Sequence, residues 1–90
     1  MPVFLRINGY KIYFWSNENN EPIHFHITIG DPSENDTKIW IKKDGGLQIA
    51  HNKGRVSERD LFRIITTMSS YVSEYEKLWK QFFGSIKYYC

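Results

Sequence analysis

The sequence predicts an α+β domain: a small, mostly antiparallel sheet of four to five strands with one long C-terminal α-helix packed on one face. Three observations predict it. Apolar and polar residues alternate in the first half, apolar residues recur every three or four positions in the last third, and clusters of turn residues separate the segments. The 90 residues read as a single domain, with strands over about 3–50, the helix over about 58–83 and a short tail at 84–90. A chain of this size buries roughly 60–65% of its unfolded surface, a modest core.

Residues 3–8 (VFLRIN) and 10–15 (YKIYFW) are rich in β-branched and aromatic residues, and Asn8-Gly9 between them signals a hairpin. The polar stretch 16–22 (SNENNEP) is a loop, and Pro22 pushes Glu21 toward an extended conformation. In 23–29, Ile23, Phe25, Ile27 and Ile29 fall on one face of a strand and His24, His26 and Thr28 on the other. A second loop (30–36) leads to a strand at 37–43, with Ile39 and Ile41 opposite Trp40. Asp44-Gly45-Gly46 makes a turn into a short return strand at 47–50. Ser57 has the form of a helix N-cap, followed by Glu58 and Asp60 at the positive end of the dipole. From Leu61 to Phe82 the apolar residues trace one helical face, and Gly84 suits the position just past the helix end. A helix of about 26 residues would run about 39 Å. That overhangs a four-strand sheet and leaves room for a bend near Ser69-Ser70.

Composition narrows the function. At 41% hydrophobic and 17% aromatic the chain is too apolar for disorder. Its six Phe, six Tyr and three Trp are either dense core or a sticky surface, and sequence does not divide them. A net charge of +2 is too balanced to indicate nucleic acid by itself. Lys53, Arg55, Arg59 and Arg63 read as a solvated face near the helix start. The one cysteine, Cys90, excludes an internal disulfide and fits a reducing cytosol. No run approaches the ~20 apolar residues of a membrane span, and "MPVFLRINGY" lacks the order of a signal peptide. A cytoplasmic protein with no membrane role is expected.

The residues "MPVFLRINGYKIYFWSNENNEPIHFHI", then "TKIWI", then a helix closing "LWKQFFG", resemble the small bacterial family called domain of unknown function 4160. Its members begin Met-Pro and carry an aromatic second strand. A Ser-Asn-(Glu/Asp)…Pro-(Pro)-His-x-His-Val core follows, and a helix with a Trp near its end closes the pattern. The resemblance covers residues 1 to about 84 and is most specific at Glu21, Pro22, His24 and His26. Ile23 stands where the family often has a second proline, "KKDGGLQIAHNKGRV" is only loosely family-like, and His51 lies outside the strongest motif. The resemblance implies an association with mobile elements and toxin–antitoxin systems.

Three chemistries fit the residues. Side chains two apart on a strand point the same way, so His24 and His26 can converge on one metal ion, zinc being the ion expected. Candidates for a third ligand are His51, Glu21 and Cys90. His51 joins if the hairpin after Trp40 folds back beside the 23–29 strand. Alternatively, two histidines act as general base and acid on a phosphodiester, with Lys11, Lys53 or Arg55 stabilising the developing charge. That would make a histidine-dependent ribonuclease toxin with His24 and His26 catalytic. The third is binding without catalysis, in which Trp79, Phe83, Tyr88 and Tyr89 anchor a protein partner or a second copy. The bland alternative places both histidines on a solvent-facing strand surface against Trp40 or Tyr13. The reading adopted is a non-enzymatic zinc-binding protein with its site on His24, His26 and His51. It would act by modulating a protein partner, as an anti-CRISPR-like inhibitor of a bacterial defence nuclease or a toxin–antitoxin component does.

Overall fold

A computed structural model describes residues 2–18 and 20–90. Met1, which opens the Met-Pro resemblance, and Asn19, within the 16–22 loop, lie outside the described residues. Five strands form an antiparallel meander: β1 (Val3–Ile7), β2 (Tyr10–Tyr13), β3 (His24–Thr28), β4 (Thr37–Ile41) and β5 (Leu47–His51), in that spatial order. The β1–β2 turn needs both central residues left-handed, which Asn8 (φ 48°) and Gly9 (φ 86°) supply. The alternation of β3 holds: Phe25 and Ile27, with Ile23 just before the strand, enter one apolar cluster with Ile39, Ile64 and Met68. Ile29 does not. It lies past the strand end and is 66% exposed.

The long helix is corrected to two: α1 (Glu58–Ser69) and α2 (Val72–Phe83). Ser57 caps α1 as expected, its Oγ accepting from the Asp60 N–H at 3.2 Å. The break falls at Ser70-Tyr71. Near it, the Thr67 and Ser69 hydroxyls donate back to the carbonyls of Arg63 and Ile65, competition that bends helices. The break turns α2 toward the sheet end where Phe14 and Ile23 lie. Tyr75 then meets Phe4 and Phe25 edge-on, with ring centroids 5.1 and 5.9 Å apart, and Trp79 meets Phe14 at 5.4 Å. Gly84, left-handed at φ 84°, ends α2, and its N–H donates to the Lys80 carbonyl.

Beyond Gly84 the chain crosses back. The Ile23 N–H donates to the Lys87 carbonyl and the Lys43 N–H to the Cys90 carbonyl, each at 2.7 Å. The Tyr89 ring stacks on Trp40, centroids 4.8 Å apart and 4° from parallel. The Tyr88 hydroxyl donates to Glu76 at 2.5 Å. Among the described residues no helix is long and apolar enough to cross a membrane.

Two outcomes follow from this packing. The Tyr75 hydroxyl donates to the buried His24 carbonyl at 2.5 Å. Tyr75→Phe strands that acceptor and should cost about 1–3 kcal/mol, read as a lower Tm; an unchanged melt would show the bond contributes nothing. The hydrogen bond to Glu76, then burial, pushes the Tyr88 hydroxyl from 10.0 up to about 12. A raised folded value stabilises fully below pH 10 and is lost as pH rises through 12. The stability gap between the native chain and Tyr88→Phe should therefore be present at pH 8 and vanish by pH 12. A gap that persists there would place its origin elsewhere.

Candidate metal centre

β3 sends His24 and His26 to the face opposite Phe25 and Ile27, and the loop after β2 folds over that face. Two short turns shape the loop: the Glu18 N–H donates to the Trp15 carbonyl and the Glu21 N–H to the Glu18 carbonyl. The Trp15 N–H also donates to Glu18 Oε1 at 2.6 Å, which aims the other carboxylate oxygen inward. Glu18 Oε2 then lies 2.8 Å from His24 Nε2 and 2.9 Å from His26 Nε2. One ligand atom from each of the three residues falls within 4.8 Å of the others, so the cluster could hold a metal ion.

The cluster is nearly closed to solvent. His24 is fully buried, and the side chains of His26 and Glu18 are each 10% exposed. Trp40 and Trp79 wall His24, with ring centroids 5.6 and 5.3 Å away, and Tyr13 lies 5.3 Å from His26. Burial by itself raises the Glu18 carboxyl, but the hydrogen bonds with His24 and His26 outweigh it and hold the group well below the usual carboxylate range.

The hydrogen-bond partners set the state of His24. Its Nδ1 is 2.7 Å from the Pro22 carbonyl, and a carbonyl only accepts, so Nδ1 carries a proton. Nε2 then either bears the ring's second proton and donates to Glu18, or offers a lone pair to a cation that Glu18 also holds. Ligating histidines commonly direct the other ring N–H to a backbone carbonyl in this way, which fixes tautomer and ring orientation. Among the described residues, His26 Nδ1 is buried with no hydrogen-bond partner. The cluster is therefore not a closed polar network satisfied by its own groups.

The expected residues sort differently from the sequence reading. His24 and His26 meet, but on a buried face rather than a solvent-facing one. His51 does not join them. It pairs with Lys38 on β4, and Lys38 in turn pairs with His26, so a whole strand lies between the two histidines. Two strand spacings amount to roughly 10 Å, beyond a shared ion. His51 Nδ1 accepts from the Lys53 N–H instead, and burial followed by Lys53 lowers its pKa. Glu21 is taken by Lys38 at 2.6 Å, and Cys90 Sγ sits 3.5 Å from Gln48. Lys11 donates to the Gly30 carbonyl, and Arg55 lines a groove of about 180 Å³ with Tyr10 and Asp36, away from the histidines.

The expected partner surface is corrected as well. Trp79 is 1% exposed and belongs to the core, because the helix break delivers it there. Phe83 and Tyr88 are half-buried against the same cluster, and only Tyr89, 57% exposed, keeps a free face. The third ligand-bearing residue, Glu18, escaped the sequence reading. Its signal was the Glu/Asp that follows Ser-Asn in the resemblance, which is Glu18 after Ser16-Asn17.

The sequence model of a family described as a domain of unknown function (DUF4160) matches residues 9–80. That span includes Glu18, His24 and His26. No curated protein and no solved structure matches the chain.

Because the carboxyl of Glu18 is held below its ordinary 4.5, its contribution to stability is present above that pH and lost as pH falls. Glu18→Gln removes the charge and leaves the imidazoles without it, a cost of about 3 kcal/mol at pH 7. Urea unfolding should show that deficit at pH 7 and a smaller one at pH 3. A deficit of equal size at both would show that the charge is not its source.

Proposed function

The chain belongs to the DUF4160 family, and we propose that it is a small non-enzymatic binding protein built around a transition-metal site at Glu18, His24 and His26, with zinc as the ion. One observation carries the reading. His24 commits Nδ1–H to a backbone carbonyl and turns Nε2 into a buried cluster that already holds a second imidazole nitrogen and a carboxylate oxygen. Two histidines and one carboxylate form a set that zinc accepts at about 2.0–2.2 Å. The same set with open positions serves iron in oxygenases. Among the described residues the set supplies three of zinc's four positions, and the aromatic walls and full burial of His24 favour an ion that holds structure.

The role of such an ion is to tie the 16–22 loop to β3 across a small core, where a metal supplies stability that apolar area alone does not. Burial also favours binding over turnover. Both imidazoles face one carboxylate oxygen instead of flanking a space for a phosphodiester, Lys11 donates to the Gly30 carbonyl, and Arg55 lines a separate groove. A protein is the partner class proposed, as for a nuclease inhibitor or a toxin–antitoxin component.

Elemental analysis of untagged protein should find about one zinc per chain. A bound ion at a hundredfold excess over its Kd adds about 2.7 kcal/mol, so chelation should lower Tm by roughly 10–20 °C. Metal-free protein whose melt ignores chelator would end the metal reading. RNA cleavage that survives chelator and disappears in His24→Ala would replace it with the ribonuclease.

A further inference from the structure

We propose that the segment after Gly84 is a strap that controls exchange of the ion at Glu18, His24 and His26. The inference rests on the metal reading above and adds a route by which the ion enters and leaves. Three rings stand in series from the surface to the site. Tyr89 stacks flat on Trp40, and Trp40 meets His24 edge-on with centroids 5.6 Å apart. Tyr89 is 57% exposed, whereas His24 is fully buried. The outer ring of the series is therefore the one free to move.

The strap is fastened at points next to the ligands. The Lys87 carbonyl accepts from the N–H of Ile23, which lies between Pro22, the acceptor for His24 Nδ1, and His24 itself. The Cys90 carbonyl accepts from the Lys43 N–H, two residues beyond the end of β4. Between them Tyr88 reaches Glu76 on α2. The fastenings are few: these bonds, the Cys90 Sγ contact with Gln48 and the packing of half-buried Ile86 and Tyr88 on the core, and residues 85–90 belong to no helix or strand. Segments held this way open locally without global unfolding. Lifting Tyr89 bares the face of Trp40, the ring that walls His24, and frees it to turn, while the three ligands stay on their own elements.

The test uses the full chain loaded with zinc. Transfer of zinc to excess colorimetric chelator is timed for the native protein, Tyr89→Ala and Tyr89→Phe. Loss of one aromatic pair shifts a local opening equilibrium by roughly 2- to 10-fold, so Tyr89→Ala should release zinc faster by that factor with unchanged stoichiometry. Tyr89→Phe keeps the stack and should match the native rate. Equal rates in all three would overturn the strap. A second readout works without metal: carbethoxylation of His24 in chelator-treated protein, followed by peptide mass spectrometry. It should speed up in Tyr89→Ala only, and an unchanged rate there would also overturn the strap. Native protein that never holds zinc would instead sink the metal reading and leave the His24 modification rate to decide the strap.

Discussion

Glu18 Oε2 meets two imidazole nitrogens at 2.8 and 2.9 Å in a site almost closed to solvent. A carboxylate in that position is costly unless charge and hydrogen bonds surround it, so the surrounding chain is arranged to supply them. The loop between β2 and β3 is tied at both ends, by the Trp15 N–H on Glu18 Oε1 and by the Pro22 carbonyl on His24. β3 cannot slip by one residue, because that would carry both histidines to the helix side and Phe25 and Ile27 to the carboxylate. α2 is bound to the same strand through Tyr75, whose hydroxyl takes up the His24 carbonyl, and through Trp79 against the His24 ring.

Much of the aromatic content serves this arrangement, though Phe62 and Phe82 stay exposed. Phe4, Phe14, Phe25, Tyr75 and Trp79 pack edge-on or tilted in the core, and Trp40 with Tyr89 covers the other side of His24. A dense set of rings excludes water on both faces of a five-stranded sheet too small to do so with aliphatic side chains alone. Exclusion of water strengthens every electrostatic contact inside, and a group left unpaired there costs correspondingly more. Beyond the break between α1 and α2, Tyr75 and Trp79 lie over the sheet end against Phe14 and Phe25.

Much of the fold was legible in particular residues. Asn8-Gly9, the period-two pattern through Phe25 and Ile27, and the Ser57 cap each act over a few positions, and each appears where it was expected. The helix break was foreshadowed only by length and the Ser69-Ser70 pair, because helical periodicity continues in phase across it. For the candidate site, the paired histidines were legible since i and i+2 on a strand share a face whatever the rest of the chain does. His51 was misplaced because the strand after β3 is β4, which puts Lys38 between the two histidines. Glu18 was passed over for Glu21, since the two acids sit in one loop and nothing local says which turns inward.

By itself, then, the sequence determined the α+β class, the strand order of events along the chain, and that His24 and His26 would point together. Those follow from backbone periodicity and from turn and cap chemistry, which are local. Only the tertiary structure decided that the histidines are buried, that Glu18 joins them, and that Trp79 is core while Tyr89 lies outside. Each of those depends on which distant segment returns to cover a face. That outcome is set by the summed packing of loop, second helix and tail, and no short window of residues contains it.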